Sequence, residues 1–195
     1  MRLRWVGDSR DYVKWDCVLE NAKGRFVFYV PMLRRSVDPE CKHSEVQMHF
    51  DQRKDLKQFA ELFRGDFSVL EFQDREYSKR DAEGYFRLVI EELRRLQRSH
   101  HVLVFIDPDT GIEPESGAKN EHLRNEDLRS VWKALNSGDK LIVYQHASRT
   151  PGWKERHLNR AAEILETEFA PDKHLYSDET LAKDVCFLVL EKPKS

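Results

Sequence analysis

The chain has 195 residues, enough for one domain with a single core. Its charges are mixed in sign and sum to −2, which excludes a global basic field that would attract nucleic acid. Its three cysteines form no Cys-x-x-Cys pair, which argues against a disulfide framework or a zinc site. No apolar stretch approaches the ~20 residues that span a bilayer, and Met1 to Trp5 do not open a signal peptide, so we expect a cytoplasmic protein.

Strands and amphipathic helices alternate along the chain. A first helix places Tyr12, Trp15 and Val18 on one face, with Asp8 or Ser9 as its cap. A long helix is predicted to open with a capping box at Ser78–Asp81. The other predicted helices are Asp55–Arg64, Asn125–Asn136 and Trp153–Phe169. The predicted strands are Arg25–Val30, Phe67–Phe72, His101–Ile106, Leu141–Tyr144, His174–Tyr176 and Asp184–Glu191.

This alternation predicts an α/β fold with a mostly parallel sheet. No helix separates the last two strands, which therefore indicate an antiparallel hairpin at the C-terminal edge of the sheet. We expect one domain over residues 1–195, with residues 37–51 as a loop over one end of the sheet. Cys186 lies in an apolar run and is predicted to pack in the core.

The most apolar predicted strand, His101–Ile106, leads directly into Asp107-Pro108-Asp109-Thr110-Gly111. Ligands of open α/β sheets bind beyond the carboxyl ends of the strands, so this segment is the main candidate site. The carboxylates of Asp107 and Asp109 are hard oxygen ligands for Mg²⁺, or acceptors for a substrate amine or hydroxyl. If they crowd each other in the empty protein, neutralising Asp107 leaves the melting temperature unchanged or raises it. The alternative is a tight turn, for which this sequence is well suited.

The next strand ends in Gln145 and His146, which are expected at the same edge of the sheet. His146 is a candidate acid or base near neutral pH, or a structural histidine bonded to a loop carbonyl. Arg149 is a candidate anion contact. Lys119 belongs to a polar loop between the two strands, which is either a substrate-contacting flap or a solvated connection. The predicted substrate-binding set is completed by Pro108, Thr110, Gly111 and Gln145. The predicted catalytic residues are Asp107, Asp109 and His146. Lys14 is a further candidate to point toward this cleft.

The order of elements and the Asp107-Pro108 step resemble class I S-adenosylmethionine-dependent methyltransferases. The resemblance is greatest to divergent members that open with a Tyr-x-Lys-Trp helix, here Tyr12–Trp15. It implies a Rossmann-like three-layer sandwich and a nucleotide or nucleic acid as substrate. The family's catalytic Asp-Pro-Pro-aromatic motif would fall on residues 107–110, where Asp109 replaces the second proline and Thr110 the aromatic. The chain also resembles a group of bacterial and phage-associated proteins with Asp-Pro-Asp-Thr/Asn-Gly followed by Tyr-Gln-His, a resemblance that implies no particular activity.

The sequence departs from the methyltransferase pattern at the cofactor turn. The first strand runs into Pro31–Arg35 and the chain contains no Gly-x-Gly, so S-adenosylmethionine is predicted to bind weakly or not at all.

Three hypotheses for the function follow. The first is a methyltransferase-like enzyme in which Asp107 orients a nucleophile. The second is a Mg²⁺-dependent phosphoesterase or nuclease using Asp107 and Asp109, with His146 as acid or base and Lys119 or Arg149 on phosphate. The third is a non-catalytic binding module.

Overall fold

The computed structural model describes residues 9–32, 67–69, 77, 80–117 and 122–193. The predicted helix 55–64, the loop 37–51 and Lys119 lie outside these residues. The helices are α1 (Ser9–Asn21), α2 (Ala82–Leu96), α3 (Asn125–Ala134), α4 (Trp153–Leu165) and α5 (Pro171–His174). The strands are β1 (Phe26–Pro31), β2 (Phe67–Val69), β3 (Val102–Asp107), β4 (Gly111–Ile112), β5 (His122–Leu123), β6 (Lys140–His146), β7 (Leu175–Tyr176) and β8 (Val185–Glu191).

Within the described ranges the main sheet has the strand order β2-β1-β3-β6-β8-β7. The pairs β1–β2, β1–β3 and β3–β6 are parallel, so the predicted α/β class with a mostly parallel sheet is confirmed. The last strand, β8, inserts antiparallel between β6 and β7. The chain passes from β1 to β2 on one side and then returns to place β3 on the other side of β1. The strand order therefore reverses between β1 and β3.

Two hydrophobic clusters cover opposite faces of this sheet, because alternate residues of each strand point to opposite sides. One cluster joins the strands to the apolar faces of α2, α3 and α4 and includes Val104 and Val143. The other joins them to α1 and includes Leu103, Phe105 and Tyr144. Asp107 continues the alternation of Leu103 and Phe105 and so lies on the α1 face.

Three local features differ from the sequence-based prediction. The capping box is wrong, because Asp81 precedes the first residue of α2 instead of being its third residue. Strand β6 extends to His146, past the predicted end at Tyr144. A small parallel pair, β4 with β5, was not predicted from the sequence, since strands of two residues carry no periodic signal.

The thiols of Cys17 and Cys186 are both buried and unbridged, which confirms Cys186 as a core residue. Burial raises the pKa of the Cys186 thiol to about 12. None of the helices in the described part of the chain is both long and apolar enough to cross a membrane.

Asp139 is a fully buried carboxylate at the amino edge of the sheet, opposite the candidate site. It accepts hydrogen bonds from the backbone N–H of Val102 at 2.8 Å and of Asn136 at 3.0 Å, and from Gln97 Nε2 at 2.8 Å. These donors belong to the start of β3, the segment after α3 and the segment after α2. Asp139 therefore ties three elements together at the end of the sheet remote from Asp107.

Candidate functional site

Asp107 is the last residue of β3 and lies where the strand order reverses. Its register partner on β1 is Pro31, and its backbone carbonyl accepts a hydrogen bond from Met32 N–H at 3.2 Å. Its side chain is buried, with the residue only 2% exposed, although it lies at the end of a strand. The fold therefore places a buried carboxylate at the position where open α/β sheets bind their ligands.

One oxygen of this carboxylate is held by two donors from different elements. Asp107 Oδ2 accepts from Lys14 Nζ at 2.9 Å and from the Tyr29 hydroxyl at 2.8 Å. Lys14 lies on α1 and Tyr29 on β1, so the contact joins three segments that are distant in sequence. No described residue donates to the other oxygen, Oδ1. Asp107 thus keeps one acceptor atom available at the carboxyl edge.

Lys14 is buried between two carboxylates, since its Nζ is also 2.8 Å from Asp11 Oδ1. Burial alone lowers the pKa of the Lys14 ammonium, but the negative charges of Asp107 and Asp11 outweigh it, and the resulting pKa is well above the ordinary value. Lys14 is therefore a fixed cation. Burial, reinforced by Asp107, also raises the pKa of Tyr29, which remains a neutral donor.

A second polar group lies at the same edge and on the same face, where α1 meets the start of β8. Arg10 donates through Nε to Asp184 at 3.2 and 3.1 Å, and this contact holds the pKa of Asp184 below its usual range. His146 Nε2 lies 3.6 Å from Asp184 Oδ2. His146 shares its face of β6 with Tyr144, whose ring centroid is 5.7 Å from Lys14 Nζ.

Gln145 points to the opposite face of the sheet from Asp107 and holds the turn after β3. Its Oε1 accepts from Ile112 N–H at 3.1 Å, and His146 N–H donates to Thr110 O at 3.2 Å. Gly111 has φ +115°, and a Cβ on it would lie 2.4 Å from Gln145 Oε1. Only glycine satisfies both conditions, which explains the residue at this position.

We expect Gly111→Ala to destabilise the protein by at least about 2 kcal/mol, because it combines backbone strain with a clash against a fully buried amide. Gly117→Ala is the matched control: Gly117 has φ +100°, but a Cβ added there would meet nothing within 4 Å. Urea unfolding of both variants separates the clash from the strain. Equal losses for the two variants would show that Gln145 moves away at little cost.

The structure places the described candidate residues at one edge of the sheet but does not join them all. Asp107 and His146 share a face, yet no hydrogen bond or ion pair links them. Asp107 is paired with the Lys14 ammonium, which offsets repulsion from a neighbouring carboxylate. The remaining predicted residues lie in the turn or beyond β6: Pro108 is buried, Asp109 and Thr110 are partly buried, and Arg149 is exposed in the loop before α4.

Among the described residues, the site offers neither a set of metal ligands nor the usual glycine turn for the cofactor. The described residues contain no group of three His, Cys, Asp or Glu side chains able to hold a metal ion. At Asp107 Oδ2 the Lys14 ammonium already supplies the positive charge that Mg²⁺ would provide. Strand β1 ends at Pro31 and is followed by Met32, both buried, where a glycine turn would approach S-adenosylmethionine. We assign no chemical step to either group.

Sequence reasoning found Asp107 and His146 but missed most of their partners. Asp11, Tyr29 and Asp184 carry no local motif, and each reaches the site only through the tertiary fold. The sequence does indicate a buried role for Lys14, because this charged residue lies in the helix segment Tyr12–Trp15 between positions that must be buried. A lysine surrounded by core positions needs a carboxylate partner.

No family model, no curated protein and no solved structure matches the chain.

Proposed function

We propose that the protein is an enzyme acting on a nucleotide or nucleic acid, with a methyltransferase-like topology and Asp107 as the residue that contacts the substrate. The observation that carries this proposal is the buried group Asp11, Lys14 and Asp107 at the reversal of the strand order. Its free acceptor, Asp107 Oδ1, is suited to orienting an amine or hydroxyl nucleophile of the substrate.

Stability alone gives a weak reason for such a group. Replacing a buried ion pair with apolar residues of similar volume is often neutral or stabilising. Perturbed, buried charges cluster at functional sites, where they are arranged for a ligand or a reaction. The position of this group at the carboxyl edge, and not within the hydrophobic clusters, favours the second explanation.

The strand order supports the fold analogy. The strand order reverses after β1, and β8 is inserted antiparallel between β6 and the edge strand β7. Both features agree with a Rossmann-like, methyltransferase-like arrangement. The helices of the two clusters lie on both faces of this sheet. The analogy concerns topology, and the substrate class rests on it together with the Asp-Pro step.

The proposal is tested by thermal shift with nucleoside monophosphates, a short single-stranded DNA, S-adenosylmethionine and MgCl₂. A ligand at about 100 times its Kd stabilises by about 2.7 kcal/mol, which raises the Tm of a domain of this size by roughly 5–10 °C. We expect a shift with a nucleotide or the DNA, and none with MgCl₂ alone.

Asp107→Asn should remove that ligand shift and lower the Tm of the free protein, because two hydrogen bonds to a charged oxygen are weakened. Asp139→Asn is the matched control: it alters an equally buried carboxylate at the opposite edge, so it should lower the Tm but keep the ligand shift. A ligand shift that survives Asp107→Asn would remove Asp107 from the site. A wild-type protein that responds to no nucleotide or DNA would favour the non-catalytic module.

A further inference from the structure

Tyr144 lies beside Asp107 on the neighbouring strand. The register pairs Ile106 of β3 with Val143 of β6, so Asp107 and Tyr144 follow as the next pair, and both side chains point to the α1 face. The Tyr144 ring packs edge-on against Phe187 with centroids 5.7 Å apart. This packing fixes the ring near the carboxyl edge of the sheet.

The Tyr144 hydroxyl lies among the charges of the site. Burial raises its pKa above the ordinary value, and the charged groups that act on it are Lys14, Asp107, Arg10 and Asp184. These belong to the two polar groups described above, one around Asp107 and one around Asp184. The hydroxyl is therefore a neutral donor, and its ring centroid lies 5.7 Å from Lys14 Nζ.

This hydroxyl makes no hydrogen bond to any described residue, although Tyr144 is only 7% exposed. Buried tyrosine hydroxyls usually find a partner. Other tyrosines in the described part of the chain follow that rule: their hydroxyls bond to Asp107 (Tyr29), His122 O (Tyr77), Pro31 O (Tyr85) and Asp16 (Tyr176). The Tyr144 hydroxyl has no such partner among the described residues, and Tyr144 lies on the strand next to Asp107.

We propose that Tyr144 is a ligand-contacting residue whose hydroxyl donates to an acceptor atom of the substrate while Asp107 Oδ1 accepts from a neighbouring donor. The two atoms together match a group that presents a donor beside an acceptor, as a carboxamide or the edge of a nucleobase does. This inference rests on the proposed function and adds the second residue of the same site.

The test compares Tyr144→Phe with Tyr29→Phe, which each remove one hydroxyl from a buried ring at the same end of the sheet. Tyr29→Phe should lower the Tm by about 2–6 °C, because it takes a donor from the Asp107 carboxylate. Tyr144→Phe should leave the Tm within about 2 °C of wild type, because no protein hydrogen bond is lost. Its Kd for the nucleoside monophosphates or the DNA should rise about 3- to 10-fold by calorimetry.

A Tm loss in Tyr144→Phe equal to that in Tyr29→Phe would overturn the inference, because the hydroxyl would then serve the protein itself. A wild-type Kd in Tyr144→Phe would overturn it while leaving the proposed function standing. If wild type binds neither the monophosphates nor the DNA, the proposed function fails and the inference fails with it. An unchanged Tm with weakened binding supports it.

Discussion

Lys14→Met should destabilise the protein by about 3–5 kcal/mol, which lowers the Tm of a domain of this size by roughly 6–20 °C. The change keeps the length and apolar character of the side chain but leaves the carboxylates of Asp107 and Asp11 without the buried ammonium that lies 2.9 and 2.8 Å away. Urea unfolding at neutral pH measures the loss. Lys133→Met, on the exposed side of α3, is the control and should change stability by less than about 0.5 kcal/mol.

The pH dependence gives this prediction a second, independent check. The raised pKa of Lys14 means that its stabilising charge is fully present below the ordinary lysine pKa and is lost only as the pH rises through the raised value. The wild-type contribution of Lys14 is therefore constant between about pH 5 and pH 9. We therefore expect the stability gap between wild type and Lys14→Met to stay constant over this range and to narrow only as the pH rises through the raised pKa of Lys14.

A double-mutant cycle with Asp107→Asn separates this interaction from general disruption. If the two residues act through their contact, the stability loss of the double variant should be smaller than the sum of the two single losses. The difference should be at least about 1 kcal/mol. Additive losses would mean that the ion pair at Asp107 carries no net interaction, and the loss in Lys14→Met would then have a cause other than this contact.

Asp139→Ala should cost at least about 3 kcal/mol, because it removes the acceptor of three hydrogen bonds at a fully buried carboxylate. The buried backbone N–H of Val102 loses its acceptor, and the amide of Gln97 keeps only its bond to Ala134 O. Chemical denaturation provides the measurement, and Asp172→Ala, an exposed aspartate on α5, should leave the unfolding free energy unchanged. A loss below about 1 kcal/mol would show that the amino edge admits water at this position.

The two buried aspartates show what the sequence predicts and what it does not. The carboxyl-edge position of Asp107 follows from an apolar strand that ends in Asp-Pro, a local pattern. Asp139 follows a Gly in an ordinary-looking turn, and nothing nearby in sequence reveals that donors from three elements converge on it. The same holds for Asp184, whose partner Arg10 is 174 residues away. Alternation of strands and helices therefore predicts the α/β class, whereas residue partners that only tertiary packing brings together cannot be predicted from local sequence patterns.

The position of β8 has a consequence for how the protein is made. The last strand of the described ranges is not an edge strand: β8 pairs with both β6 and β7, and it begins directly after Asp184. During synthesis, β6 therefore keeps an open hydrogen-bonding edge until the C-terminal segment leaves the ribosome, and the contact between Arg10 and Asp184 cannot form before then. Such an edge can pair with other chains, so a product that stops before Val185 should aggregate or be degraded. The site is therefore completed only once residues 184–191 have been synthesised.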